Sequence, residues 1–254
     1  MRSYRGESAT RRSSDRPRPI VLLLFDIDGT LLEGTAPLVG EAMSAALREV
    51  HAIDTSAIRT YIPTAGRTDS EIARAILLDA GVPRRRIDGL ADRVREVCCK
   101  ACARLLPDDL SGAVLPGVRE LLDGLAEHED VKVSLLTGNY EEIARLKLER
   151  AGIGHAFAPG QGAFGSDAEN RAALPAIARR RAGTPRAPYP RSNTIVIGDT
   201  PQDIACAHAD ELRCLAVATG PFGAESLTDA DGVARDSVEL RRILSELGIG
   251  GARG

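Results

Sequence analysis

The chain has 254 residues, 43% hydrophobic but only 3% aromatic, and a formal net charge of −3. That length supplies the core of one large α/β domain, or of a core plus a smaller second domain, and the acidic balance lacks the basic footprint of nucleic-acid binding. The longest apolar run, Ile20 to Phe25, is too short to cross a membrane, and the cysteines at 98, 99, 102, 206 and 214 fit a reducing compartment better than a disulfide framework.

Residues 1–19 are rich in Arg and Ser and nearly free of apolar side chains, so a disordered tail is expected there. Glu7 and Asp15 argue against a transit peptide, and with no targeting signal a cytoplasmic location is expected. Ile20 to Phe25 then reads as a strand buried on both faces. From about Pro37 to Leu106 the pattern is helical throughout. Thr68-Asp-Ser-Glu71 spells a capping box opening a helix that ends near Gly81. Further on, Leu90, Val94, Val97, Cys98, Ala101 and Leu105 mark one apolar stripe.

Val131 to Leu136 and Thr194 to Ile197 repeat the buried-strand pattern, Cys214 to Ala218 more weakly, and each precedes a helix-like segment. The proline-rich stretch Ala182 to Asn193 reads as a surface loop. This alternation predicts an α/β, Rossmann-like three-layer core around a central parallel sheet. The core is assigned to residues 20–33 and 115–254. An all-helical insertion at 34–114 is expected to cap the carboxyl edge of the sheet, where ligands bind in open α/β folds.

Acidic and small residues cluster at those strand ends. Asp26 and Asp28 flank the exit of the first strand, and Gly29 permits a sharp departure. A buried acidic pair is costly unless a cation or substrate compensates it. Thr137-Gly138-Asn139 follows the second strand with a hydroxyl and backbone amides suited to a phosphoryl oxygen. Gly198-Asp199-Thr200-Pro201-Gln202-Asp203 ends a later strand, and Asp203 either caps the next helix or supports a metal.

Together the motifs DxDGT at 26–30, Thr137 at a strand end and GDxxxD at 198–203 resemble the phosphatase branch of the haloacid dehalogenase superfamily. The resemblance spans about Ile20 to Leu247 and is closest to phosphoglycolate phosphatases. It implies Asp26 as the nucleophile and Asp28 as the general acid and base. It also implies Mg²⁺ held by Asp26, the Asp28 backbone carbonyl and Asp199. The second aspartate argues against carbon–halogen chemistry, because dehalogenases lack that acid/base. Each role is physically reasonable: a metal offsets carboxylate–phosphate repulsion, and Mg²⁺ favours hard oxygen ligands. The expected partner is a small-molecule phosphomonoester, bound by a monomer or homodimer.

The superfamily usually places a lysine shortly before the last acidic motif, and none stands there. Lys147 is the sole lysine between Thr137 and Asp199. On the helix Tyr140 to Ala151 it falls inside the apolar face, so it needs an anionic partner or a way out to water. Arg171 is the rival phosphate clamp, and both have a plain ion-pair reading. In the insertion, Ala65-Gly66-Arg67-Thr68-Asp69 resembles the cap loop of phosphoglycolate phosphatases and β-phosphoglucomutases. Gly66, Arg67 and Thr68 therefore become candidate substrate contacts, with Arg67 able to pair a carboxylate. The alternative is a turn glycine, a solvated arginine and a helix cap. The cysteines read as small buried hydrophobes, the four histidines carry no assigned chemistry, and Arg179 to Arg181 read as a solvated helix end. Three functions stay open: a phosphomonoester phosphatase, a β-phosphoglucomutase-like phosphomutase, or a non-catalytic receiver-like module, the last disfavoured by the cap and by Asp28.

Overall fold

Val21–Phe25 (β1) forms because its alternate side chains can be buried on opposite faces of a sheet. Leu23 and Phe25 join one hydrophobic cluster, and Leu22 and Leu24 join another. The computed structural model describes residues 20–57, 60 and 62–250, so the expected disordered tail at 1–19 lies outside the described residues. Beside β1 lie Val131–Leu135 (β2) and Thr194–Gly198 (β3), followed by Arg213–Val217 (β4) and Gly232–Ala234 (β5). The sheet runs β2-β1-β3-β4-β5 with every pairing parallel, and Leu23 faces Val133 on one side and Ile195 on the other.

Parallel neighbours need crossover connections. Val118–Ala126 (α4), Glu141–Arg150 (α5) and Ser237–Glu246 (α8) bring their apolar stripes to the first cluster. Leu174–Ala182 (α6) and Pro201–Ala209 (α7) bring theirs to the second. The result is the expected three-layer α/β core.

Between β1 and α4 the described residues build three α-helices, Ala36–His51 (α1), Asp69–Asp79 (α2) and Arg84–Leu105 (α3), with α1 packed along α3. The stripe on α3 is buried at Val94, Val97, Cys98 and Ala101, while Leu90 and Leu105 are only partly covered. Cys102 extends it. Burial pushes the Cys99 and Cys102 thiols up to about 12 and about 11, which suits unreactive packing residues.

Four local readings change. β2 is an edge strand whose first three residues are half-buried, so it is not enclosed like β1 and β3. Strand β5 was not expected, because three residues carry too little pattern. At α2 only half the capping box forms: the Thr68 hydroxyl accepts from the Glu71 amide at 3.1 Å, while the Glu71 carboxylate faces Arg67. Arg179 is not solvated. It is buried, donating to both carboxylate oxygens of Asp210 at 2.7 and 3.1 Å, and Arg181 pairs with Asp167. Arg180 and Arg181 keep the expected exposure in that run, Arg181 while paired with Asp167.

Candidate active site

The Asp26 amide donates to the Ile197 carbonyl at 2.8 Å, prolonging the ladder one step beyond β1 and fixing this side chain at the sheet's carboxyl edge. The chain then turns, with the Ile27 carbonyl accepting from the Leu31 amide at 2.8 Å. Gly29 has φ +84°, and a Cβ there would strike the Asp199 carboxylate, so glycine is required on both counts. Gly220, after β4, faces the same carboxylate from another side and meets the same bar.

Asp26, Asp199 and Asp203 each offer an oxygen within 4.8 Å of the others, and all three are buried. Asp199 Oδ1 accepts from the Thr30 hydroxyl at 3.0 Å, but its Oδ2 has no partner among the described residues. Asp203 has two duties: its Oδ2 completes a capping box with Thr200, and its Oδ1 accepts from Arg171. Arg171 also approaches Asp26 at 3.3 Å. Burial pushes Asp26 up to about 7, with Asp203 and Asp28 adding to the rise and Arg171 opposing it. Burial, reinforced by Asp26 and Asp203, pushes Asp199 up to about 8. One guanidinium among three buried carboxylates leaves acidic charge uncompensated. The orphaned Asp199 oxygen, the close-packed glycines and the all-oxygen donor set fit a small hard cation such as Mg²⁺.

The Asp28 carboxylate stands apart from this trio. Lys147 Nζ donates to its two oxygens at 2.8 and 2.7 Å and to Asn139 Oδ1 at 2.8 Å, and the Thr35 hydroxyl donates to it at 2.5 Å. Burial raises the Asp28 pKa, but the Lys147 charge and these hydrogen bonds outweigh it and hold the group below its ordinary value. Lys147 is fully buried, so its long stem leaves the apolar face of α5 to deliver its charge here. The sequence reading left Lys147 and Arg171 as rivals. Both are at the site, on different aspartates.

Thr137 is buried, and its Oγ1 accepts from the Asn139 amide at 3.3 Å. Its own amide donates to the Ala163 carbonyl. Two of the loop's three amides are therefore bonded within the protein, fewer being exposed than the motif suggested. The insertion sits directly on this loop. The Asp69 amide donates to the Gly138 carbonyl at 2.8 Å, and Asp69 Oδ2 accepts from the Tyr140 amide at 2.7 Å. A Cβ on Gly138 would strike the Arg67 carbonyl, and one on Gly66 would come within 2.6 Å of Thr200 and Gln202. Thr68 donates to the Glu169 carbonyl and Ser70 to the Gly165 carbonyl, while Arg74 pairs with Glu169. Thr68 is fully buried by this docking, so it is a junction residue with no access to the cavity.

Insertion and sheet edge enclose a cavity of about 600 Å³ that reaches Asp26, Asp28, Thr137, Arg171 and Asp199, with Gly66 and Arg67 in its wall. Thr30 lies within DxDGT and Asp69 within the cap-loop segment at 65–69, but neither was given a role. Nothing in the sequence marks Thr35 or Gly220, which meet the site through space between loops.

A parallel α/β core thus carries an acidic trio at its strand ends, beneath a helical insertion. A family model for haloacid dehalogenase-like hydrolases matches residues 23–208, and the chain belongs to that family. A hydrolase from Pseudomonas syringae shares the fold with TM-score 0.59 and 20% identity, over 89% of this chain and 99% of that one. A predicted phosphatase from Clostridium acetobutylicum gives TM-score 0.64 and 16% identity, over 90% and 99%. A β-phosphoglucomutase from Clostridium difficile gives 0.63 and 17%, over 89% and 96%. No curated protein matches the chain by sequence.

Proposed function

We propose that the protein is a Mg²⁺-dependent phosphomonoester hydrolase working through an aspartyl phosphate on Asp26. The observation that carries this reading is the pairing of an acidic trio with a separate, cation-held carboxylate, Asp28, along one cavity. Asp26, Asp199 and the Asp28 backbone carbonyl would hold the ion, with Asp203 supporting it. When bound, Mg²⁺ supplies the positive charge that lets a carboxylate approach a phosphate dianion.

The Asp26 carboxylate attacks phosphorus as the ester P–O bond breaks; Asp28, a carboxylate in the free protein, takes up the proton of the bound phosphomonoester monoanion and passes it to the departing alkoxide. Asp28, now a carboxylate, then takes a proton from water as that water's oxygen attacks phosphorus. The acyl-phosphate P–O bond breaks, releasing inorganic phosphate and restoring Asp26. Thr137, Gly138 and Asn139 line the phosphoryl side of the cavity, Arg171 holds Asp26 and Asp203 in register, and Lys147 fixes Asp28. Arg67, in the cavity wall, is the residue to which the resemblance to phosphoglycolate phosphatases gives a substrate carboxylate, and here it is paired with Glu71 at 3.4 Å.

The test is phosphate release from p-nitrophenyl phosphate and a panel of natural monoesters, with Mg²⁺ or EDTA, for wild type and Asp26→Asn. Metal-dependent release that vanishes in Asp26→Asn is the expected result. No release from any ester by the folded, Mg²⁺-supplied protein would overturn the reading.

A further inference from the structure

The cavity has two unlike walls. Below lie the aspartates and Thr137. Above, every α1 residue that borders it is apolar or glycine: Ala36, Val39, Gly40 and Met43. Their spacing places them along one edge of the helix. Leu32, Ile72 and Phe222 continue this wall across the insertion and the core. The polar side chains of the upper cavity sit elsewhere, and several are already engaged. The Thr200 hydroxyl is committed to Asp203, and that of Thr219 donates to the Gly29 carbonyl. Arg67 leans on Glu71 at 3.4 Å.

A sugar leaving group pressed on the α1 wall would bring hydroxyls to a helix edge that offers them no polar side chain of its own. Glu33, Thr64 and Gln202 stand elsewhere in the described lining, and desolvated hydroxyls without partners oppose binding. Glycolate would leave most of a 600 Å³ space unfilled. An apolar arm fits both facts, because it gains from burial and needs no hydrogen bonds.

We infer that the substrate is a phosphomonoester whose leaving group carries an extended apolar arm, seated against Val39, Met43, Ile72 and Phe222. This rests on the hydrolase reading and narrows it to a substrate class. Met43 and Val39 are the specificity-determining residues, since they are the two larger apolar side chains that α1 contributes to the cavity lining.

The test uses the full chain with Mg²⁺ and the series ethyl, butyl and hexyl phosphate, with glyceryl phosphate and phosphoglycolate as polar comparators. Expected is a rise in kcat/KM of about fourfold per added methylene until the cavity is filled, with the polar esters below the longer alkyl ones. Met43→Gln should flatten the series, its loss growing with chain length, and Met43→Leu should restore the slope. In parallel, calorimetry reads binding of the matching alkylphosphonates, which do not turn over. Affinity that rises with chain length supports the apolar arm whatever the turnover. Tightening phosphonates with no ester hydrolysed would sink the hydrolase reading and keep the arm. A flat series in both assays, or preference for glyceryl phosphate or phosphoglycolate, overturns the arm and leaves the hydrolase standing.

Discussion

Lys147 and Asp28 lie 119 positions apart in the chain and meet through two hydrogen bonds of 2.8 and 2.7 Å. The lysine is wholly enclosed, and its partner faces the cavity. A buried ion pair adds little net stability over an apolar pair, but removing one partner strands the other. Lys147→Met is therefore expected to lower unfolding free energy in urea by about 3 kcal/mol or more at neutral pH. The Asp28 carboxyl is held low in the native protein, so its contribution is present above the ordinary value of 3.8 and lost as pH falls through its native pKa. The gap between wild type and Lys147→Met should narrow as pH falls through the raised Asp28 pKa of the variant, and further below about pH 4 as the wild-type pair is lost. Without the lysine, burial dominates at Asp28, and the limb of the pH–rate profile that reports this group should move to higher pH.

Asp26 shows the opposite balance. Its pKa is pushed up to about 7 by burial and by acidic neighbours, so its charged form is a strain on the metal-free fold. Asp26→Asn removes that charge at nearly constant shape. In EDTA near pH 8 the variant is expected to unfold at higher denaturant than wild type, by on the order of 2 kcal/mol. Phosphate release should fall by roughly 10⁴-fold or more. A variant both less active and less stable would assign Asp26 a structural role instead.

The layers of the core were legible because buried parallel strands announce themselves as unbroken apolar runs, as in Ile20 to Phe25. The strand-end motifs were legible because the Asp26 and Asp28 spacing, Thr137 and Asp199 are local patterns. Lys147 was half legible: a lysine in an apolar helical face signals a hidden anion, but helical geometry cannot say which anion. Asp28 and Asn139 emerge only when α5 packs beside β1. Arg171 looked like a rival because sequence order offered one vacancy, whereas the fold holds two aspartate pairings. Arg179 was misread because a run of three arginines carries no mark of which will meet Asp210. Asp69 stood in the quoted cap-loop segment without a role, because its bond to the Tyr140 amide is a contact across 71 positions.

The acidic trio also sets how metal and pH act together. Native pKa values of about 7 for Asp26 and about 8 for Asp199 lie above the ordinary 3.8. Between about pH 4 and 8 the folded metal-free protein binds more protons than the unfolded chain, so its stability should fall as pH rises through that window. Mg²⁺ competes with those protons and needs the carboxylates ionised. The increase in Tm on adding Mg²⁺ to EDTA-stripped protein should be larger near pH 8 than near pH 5, and Asp199→Asn should shrink it. An equal increase at both pH values would place the ion elsewhere.

The last expectation concerns the seating of the insertion on the core. Gly165 and Gly138 lie in consecutive contact with the cap loop. A Cβ on Gly165 would strike the Gly138 carbonyl, and one on Gly138 would strike the Arg67 carbonyl. Both obstacles are backbone, which cannot swing aside as a flexible side chain can. Gly138→Ala or Gly165→Ala must therefore lift the segment Gly66–Asp69 away from the phosphoryl loop, loosening the Asp69 bond to the Gly138 carbonyl. Because displacement on the order of 1 Å near reacting groups costs about 10²-fold, kcat/KM should drop by that order while the sheet stays folded. The stability loss should be about 1 to 3 kcal/mol. Gly89→Ala is the matched control: it lies within α3, its added Cβ meets nothing within 4 Å, and alanine is the better helix former by up to about 1 kcal/mol. It should raise Tm slightly and leave turnover unchanged. If Gly138→Ala matched that control in kcat/KM, the close approach of insertion and core would be irrelevant to the chemistry, and the residues that matter would be those of the sheet edge alone.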